Sequence, residues 1–461
     1  MSRITFVIVS AGWLACWSAA RAWCCQEAGR PPAGLEQPDS AALAELAMEM
    51  HREVESLRGW KFKTPVGVDS CSETELREFM RRGRTEASGG APAYGDQAAR
   101  MVGLIPPDAD PGSAFTEAMM GYVPAIYDHE SKTVRIVRRP GADYGSLLTR
   151  TMLAHELTHA LDHQYFESTY AERSTRDAEF VAGAIFEGSA ITVQSRYEAT
   201  VRASAKFAPG EWQQTMAQQM KMGKIMLETP AYALTPFVAR FPCGGYFLQR
   251  GAAYLESQAK ESAVAPTGRL RCVGDAMMQA ARNLPASSEQ ILHPEKYWDQ
   301  DHRDEPVLLT DEDAERLIGT GGLRVVHKDT FGELLCALLA WPQDKRINPL
   351  TVPSPGSWTN DAAMGWGGDR FFLLVADEAG GTSEATRREP VGLWFTMWDS
   401  PQDRDEFVAA YNAARALGSR VSVMLGDRTA VFFYAFDEEL RDALSARLKR
   451  EPPRLSKGGA R

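Results

Sequence analysis

The chain has 461 residues, a formal net charge of -10 and a globular composition, 44% hydrophobic and 24% charged. That length exceeds one ordinary core and suits two or three domains. The acidic balance argues against a nucleic-acid groove, and beyond the opening residues nothing is apolar enough to span a bilayer.

The opening MSRITFVIVSAGWLACWSAARAWCC carries an early Arg3, an apolar run from Ile4 to Trp17 and a small-residue site at Ala20-Arg21-Ala22. These are the parts of a secretory signal, so residues 1–22 are expected to be removed from an exported, periplasmic or extracellular protein. Lipidation at Cys16 is the alternative, although Trp13 stands where such signals normally carry Leu. Cleavage after Ala22 removes Arg3 and Arg21 and takes the charge from -10 to -12. It leaves Cys24, Cys25, Cys71, Cys243, Cys272 and Cys336. A Cys243–Cys272 disulfide is the first expectation and buried free thiols are the alternative. With no CxxC pair, a thiolate zinc site is not expected.

Residues 23–40 read as a flexible leader, followed by helical apolar spacing in AALAELAMEMHREVESLRG. WKFKTPVGVDS is strand-like, SETELREFMRRG opens with a Ser-x-x-Glu capping pattern, and GYVPAIYDHESKTVRIV reads as a hairpin around Asp128 to Lys132. From Ser146 the period changes: Leu147, Leu148, Met152, Leu153, Leu157, Ala160 and Leu161 make a helical face. A second long helix is expected over about Thr175 to Ala203, and more helix through Gln258, broken at TPAYALTP and FPCGGYF by proline and glycine. PASSEQILHPEKYWDQDHRDEPVLLT, residues 285–310, suits a long loop. Helix at 329–341, strands at 370–376 and 390–398, helix at 401–417, a hairpin at 419–434 and helix at 436–449 complete the chain. The expected fold is α+β: a catalytic domain over 41–300, in which a small sheet precedes helices, a linker over 301–328, and a C-terminal α+β domain over 329–455.

Three of the chain's eight histidines fall within TMLAHELTHALDHQYFE. His155 and His159 are four residues apart on a helix, so both imidazoles leave one face and can share an ion, with Glu156 beside the first. In such a site zinc lowers the pKa of a water to about 7, and the adjacent carboxylate takes its proton as the water attacks a polarised carbonyl. A third protein ligand is needed if one position is to stay open. His163 lies two turns from His155 on the same helix and cannot bend back. In the design that reaches a further histidine through a glycine turn, Asp162 would occupy the glycine position and Tyr165 the histidine position, which excludes it. The next helix offers Asp177, Glu179 and Glu187. Glu187, among Ala184, Ile185, Gly188 and Ala190, is favoured, because a carboxylate on a close-packing face needs a positive partner. Glu179, in more polar first turns, remains the alternative and can be explained by the helix dipole.

HELTHALDHQ followed by GAIFEGSA resembles the gluzincin branch of zincin metallopeptidases, the thermolysin-like arrangement. It is also similar to a group of exported bacterial proteins with HEL-x-HAL and EG-x-A segments, a likeness extending through LRGWKFKTPVGV, SSEQILHPEKY and GWGGDRF. The resemblance implies a zincin-like fold, a Zn2+ cofactor held by His155, His159 and Glu187, Glu156 as general base, and a protein or peptide substrate. Two departures stand out. The group carries an acid four positions after the second histidine, where this chain has His163 and its acid is Asp162. The spacing of thermolysin-like enzymes would select Glu179.

A donor for a developing oxyanion is sought in His293 and Tyr297 of ILHPEKYW, with Tyr246 of CGGYF as a further candidate. GWGGDRF lacks the lysine and spacing of a phosphate loop and reads as a tight turn into a strand. The principal expectation is a zinc peptidase; the alternative is a degenerate zincin serving as a binding scaffold.

Overall fold

The computed structural model describes residues 40–87, 94–121, 123–139, 143–167, 174–204, 207, 209–261, 269–319, 322–342, 355–376, 389–415 and 420–457. The expected signal peptide, the leader up to residue 39, Cys16, Cys24, Cys25 and the side chain of Cys272 lie outside the described residues. No helix among the described residues is long and apolar enough to cross a membrane.

The architecture is α+β. Helix α1 (Ser40–Arg58) leads into β1 (Gly67–Cys71), α2 (Glu73–Ala87), α3 (Tyr94–Met101), α4 (Pro111–Met120) and the hairpin β2 (Ala125–Asp128) and β3 (Thr133–Val137). The capping pattern before α2 closes as expected: Glu75 N–H donates to Ser72 Oγ at 3.2 Å, and Ser72 N–H to Glu75 Oε2 at 2.6 Å. The strand-like stretch from Trp60 forms a strand only at β1, which pairs in parallel with β3; β2 pairs antiparallel on the other side, giving the order β1-β3-β2. Helices α3 and α4 are additions to the sequence reading. The second starts at Asp110, whose side chain accepts from Gly112 and Ser113 N–H, with Pro111 following it. That is the proline placement a helix start favours.

Helix α5 (Leu147–Phe166) begins at Ser146, whose side chain accepts from Thr149 N–H. Leu147, Leu153, Ala154, Leu157, Ala160 and Leu161 are all 0% exposed, so this helix is a core element. Helix α6 (Arg176–Ala203) packs along it, followed by α7 (Pro209–Glu228), α8 (Ala231–Val238), α9 (Arg240–Glu261) and α10 (Arg269–Arg282). The break expected at TPAYALTP falls between α7 and α8. The break expected at FPCGGYF does not occur. Pro242 lies in the first turn of α9, where a missing N–H costs nothing, and the glycines serve a helix crossing instead. A Cβ added at Gly244 would stand 1.7 Å from the Ala184 carbonyl oxygen, and one at Gly188 would stand 2.2 Å from the Gly244 carbonyl carbon. Backbone contacts this close cannot relax by rotating a side chain. Gly188→Ala is therefore expected to cost about 1–3 kcal/mol or more by overpacking, read as a lower urea midpoint. An unchanged midpoint would show that the helix crossing tolerates a side chain there.

Cys71, Cys243 and Cys336 are buried free thiols. Cys243, one half of the expected Cys243–Cys272 disulfide, is instead a free thiol packed in an apolar cluster with Ala239, Phe247 and Ala184.

The loop expected over 285–310 contains α11 (Ser288–Leu292), α12 (Glu295–Trp298) and β4 (Val307–Leu309). The linker expected over 301–328 is likewise corrected. After β4 it carries α13 (Asp311–Gly319) and most of β5 (Leu323–Asp329), which pairs antiparallel with β6 (Trp366–Ala376) and so belongs to the second unit. That unit continues with α14 (Gly332–Ala340), β7 (Val391–Trp398), α15 (Pro401–Ala414), β8 (Arg420–Leu425), β9 (Thr429–Tyr434), α16 (Glu438–Arg450) and β10 (Leu455–Lys457). Its sheet runs β5-β6-β7-β9-β8, while β10 pairs with β4. Both sheet faces are apolar. Phe371, Leu373, Trp394 and Phe432 meet residues of α14 and α15, while Phe372, Leu374, Phe395 and Phe433 meet residues of α13 and α16. Alternate residues pointing to opposite faces, each covered by helices, produce the continuous hydrophobic run seen in β7.

A candidate metal centre between two buried helices

The first long helix presents His155 and His159 one turn apart, and the second brings Glu187 against both. Glu187 Oε2 lies 3.2 Å from His155 Nε2 and 3.3 Å from His159 Nε2, and the two ring nitrogens are 3.1 Å apart. Ligand atoms about 2.0–2.1 Å from a tetrahedral zinc stand roughly 3.3–3.4 Å apart. The three donors therefore fit three corners of such a site with its fourth corner open. Two imidazoles and a carboxylate also form a donor set that suits zinc.

Electrostatics point the same way. Burial alone would lower the pKa of His159, but the charge and hydrogen bond of Glu187, with Glu156 and Asp162, raise it to about 9. Burial would raise Glu187, yet the two histidines hold it well below the usual carboxylate range. Without a metal the Glu187 carboxylate is thus balanced by protonated imidazole, a proton that a divalent cation would displace on binding.

Glu156 is 8% exposed, and its Oε2 accepts the Tyr127 backbone N–H of edge strand β2 at 2.7 Å. Burial raises its pKa against the opposing pull of His155 and His159. His155 stacks on Phe241 with ring centres 5.8 Å apart. His163 is turned elsewhere, its Nδ1 meeting the Tyr127 hydroxyl at 2.9 Å. Asp162, fully buried, accepts from Arg58 Nη2 at 2.9 Å, and that guanidinium stacks 4.0 Å over Trp60. Tyr127, Phe241 and the Arg58–Asp162 pair escaped the sequence reading because each acts through a long-range contact with no local pattern.

The remaining candidates make other contacts. Glu179 is 63% exposed and pairs with Arg240 at 2.8 Å. His293 Nε2 meets the buried Glu333 at 3.0 Å, and the Tyr297 hydroxyl donates to the Asn283 carbonyl at 2.6 Å. These contacts tie α11 and α12 to neighbouring parts of the core. Tyr246 is half-buried on α9. A second acidic group, Glu289, Asp304 and Asp399, surrounds Lys296 Nζ at 2.5, 3.4 and 3.5 Å. There the lysine ammonium already does the work of a cation.

Residues 319–452 match a family described as a domain of unknown function, DUF8575. The match covers β5 through α16 and leaves the histidine-bearing helices outside it. No curated protein and no solved structure gives a significant match to the chain.

Proposed function

We propose that the chain is a zinc-dependent peptidase of the gluzincin type, with a zincin-like catalytic unit acting on a protein or peptide substrate outside the cytoplasm. The observation that carries this reading is the convergence of His155, His159 and Glu187 with a buried Glu156 one residue from the first ligand. A zinc ion in that triad supplies Lewis acidity toward a water and a peptide carbonyl. Glu156 takes the proton of the attacking water and returns it to the departing amine. A carboxylate pKa raised by burial suits both halves of that task, because proton transfer is most efficient near the operating pH. The Tyr127 N–H fixes one oxygen of Glu156 and so leaves the other for the reacting proton.

The test is elemental analysis of purified protein together with a peptide-library assay carried out with and without chelator. One zinc per chain and chelator-sensitive cleavage are expected. Protein that takes up no metal on reconstitution would overturn the reading; a zinc-loaded chain that cleaves nothing would favour the scaffold alternative.

Metal uptake should also depend on pH. The metal-free His159 stays protonated up to about pH 9, and a ligand histidine must lose its proton. Apparent zinc affinity is therefore expected to climb as pH rises toward that value and then level off, with proton release below it. Calorimetry in buffers of different ionisation enthalpy counts the protons; a pH-independent affinity would contradict the shift.

A further inference from the structure

We infer that the C-terminal unit caps the metal-bearing helix α6 and that Asp329 and Thr330 are positioning residues for Glu187. This rests on the metal reading above. A helix begins with N–H groups that have no partner within it, and the C-terminal unit satisfies the first two of α6. Arg176 N–H donates to Asp329 Oδ1 at 2.9 Å, and Asp177 N–H donates to the Thr330 carbonyl at 3.0 Å. The third, Ala178 N–H, goes to the helix's own Thr175 Oγ1 at 3.2 Å. The Arg176 guanidinium also pairs with Asp329, and the buried Asp329 carboxylate sits where the helix dipole favours negative charge.

The junction is locked from the other side as well. Asp177 Oδ1 accepts from Ser288 N–H at 3.0 Å, and a Cβ at Gly332 would fall 1.8 Å from that same oxygen. Gly332, held at φ +73, and Phe331 donate their N–H groups to Asp369 at 2.8 and 3.0 Å. Trp366 and Trp394 donate indole N–H groups to the same carboxylate at 3.1 and 2.9 Å. The start of α6 therefore has no room to slide. Glu187 lies ten residues farther along, about 15 Å at the rise of a helix, on an element stiff enough to carry a shift of its first turn to its ligand.

Coupling between two sites is reciprocal, which permits a test without any substitution. Zinc added to the full-length metal-free protein should slow hydrogen exchange at the Arg176 and Asp177 amides. Asp329→Ala should weaken zinc binding about two- to thirtyfold, the range over which residues that touch neither ligand modulate coupling. It should also shift the visible absorption of the cobalt-substituted protein, which reports ligand geometry. Asp329→Asn keeps an acceptor for Arg176 N–H and should restore part of both, and it serves if the alanine variant does not fold. A wild-type chain that takes up no metal overturns the metal reading and this inference with it. Zinc binding that leaves the two amides unchanged, or an Asp329→Asn protein with wild-type affinity and an unshifted cobalt spectrum, overturns this inference alone.

Discussion

Glu156→Gln is expected to retain its zinc and its fold while losing peptide hydrolysis by about 10²–10⁴-fold in kcat, the usual contribution of a positioned acid-base group. The glutamine amide oxygen can still accept the Tyr127 N–H that Glu156 Oε2 accepts at 2.7 Å, so β2 stays anchored beside the helix. What the amide cannot do is take a proton from water. Stability should not fall, because burial already penalises the charged form of Glu156, and the amide removes that penalty. Zinc content, thermal midpoint and kcat together decide the matter. A variant as active as wild type would remove Glu156 from the mechanism, and one that loses zinc would make it a structural support of the metal site.

Glu187→Ala and Glu179→Ala are expected to separate cleanly. Glu187 is the only one of the two whose carboxylate approaches both imidazoles, at 3.2 and 3.3 Å. Its loss leaves two ligands and should weaken zinc binding by far more than the roughly 10–100-fold typical of a residue behind the ligands. Glu179 sits at the surface, paired with Arg240. An exposed pair of this kind is worth about 0–1 kcal/mol of stability, and its removal should leave zinc affinity close to wild type. Competition against a chromophoric chelator measures both constants. A reversed ranking would assign the third position to Glu179 and return Glu187 to helix packing.

The legible part of the site was the part set by one helix. His155, Glu156 and His159 lie within a single turn and a half, so their mutual placement follows from helical geometry alone, whatever the helix packs against. Glu187 could be ranked above Glu179 because its small neighbours Ala184, Gly188 and Ala190 announce a close-packed face. The contact itself depends on how two helices separated in sequence meet. His293 and Tyr297 show the limit: residue type suggested an oxyanion donor, but the groups they meet, Glu333 and the Asn283 carbonyl, are set by how the chain folds and not by the local sequence.

By itself the sequence determined the α+β class, the two long helices, the small hairpin and the one-turn spacing of His155 and His159, all consequences of short-range periodicity and capping. Only the tertiary structure decided that FPCGGYF continues a helix, because the role of Gly244 appears only when the Ala184 carbonyl approaches it. It also decided that residues 301–328 join the second unit, since Leu323–Asp329 becomes a strand by pairing with β6. Strand pairing and helix crossing depend on partners remote in sequence, and a local pattern of residues does not specify which partner arrives.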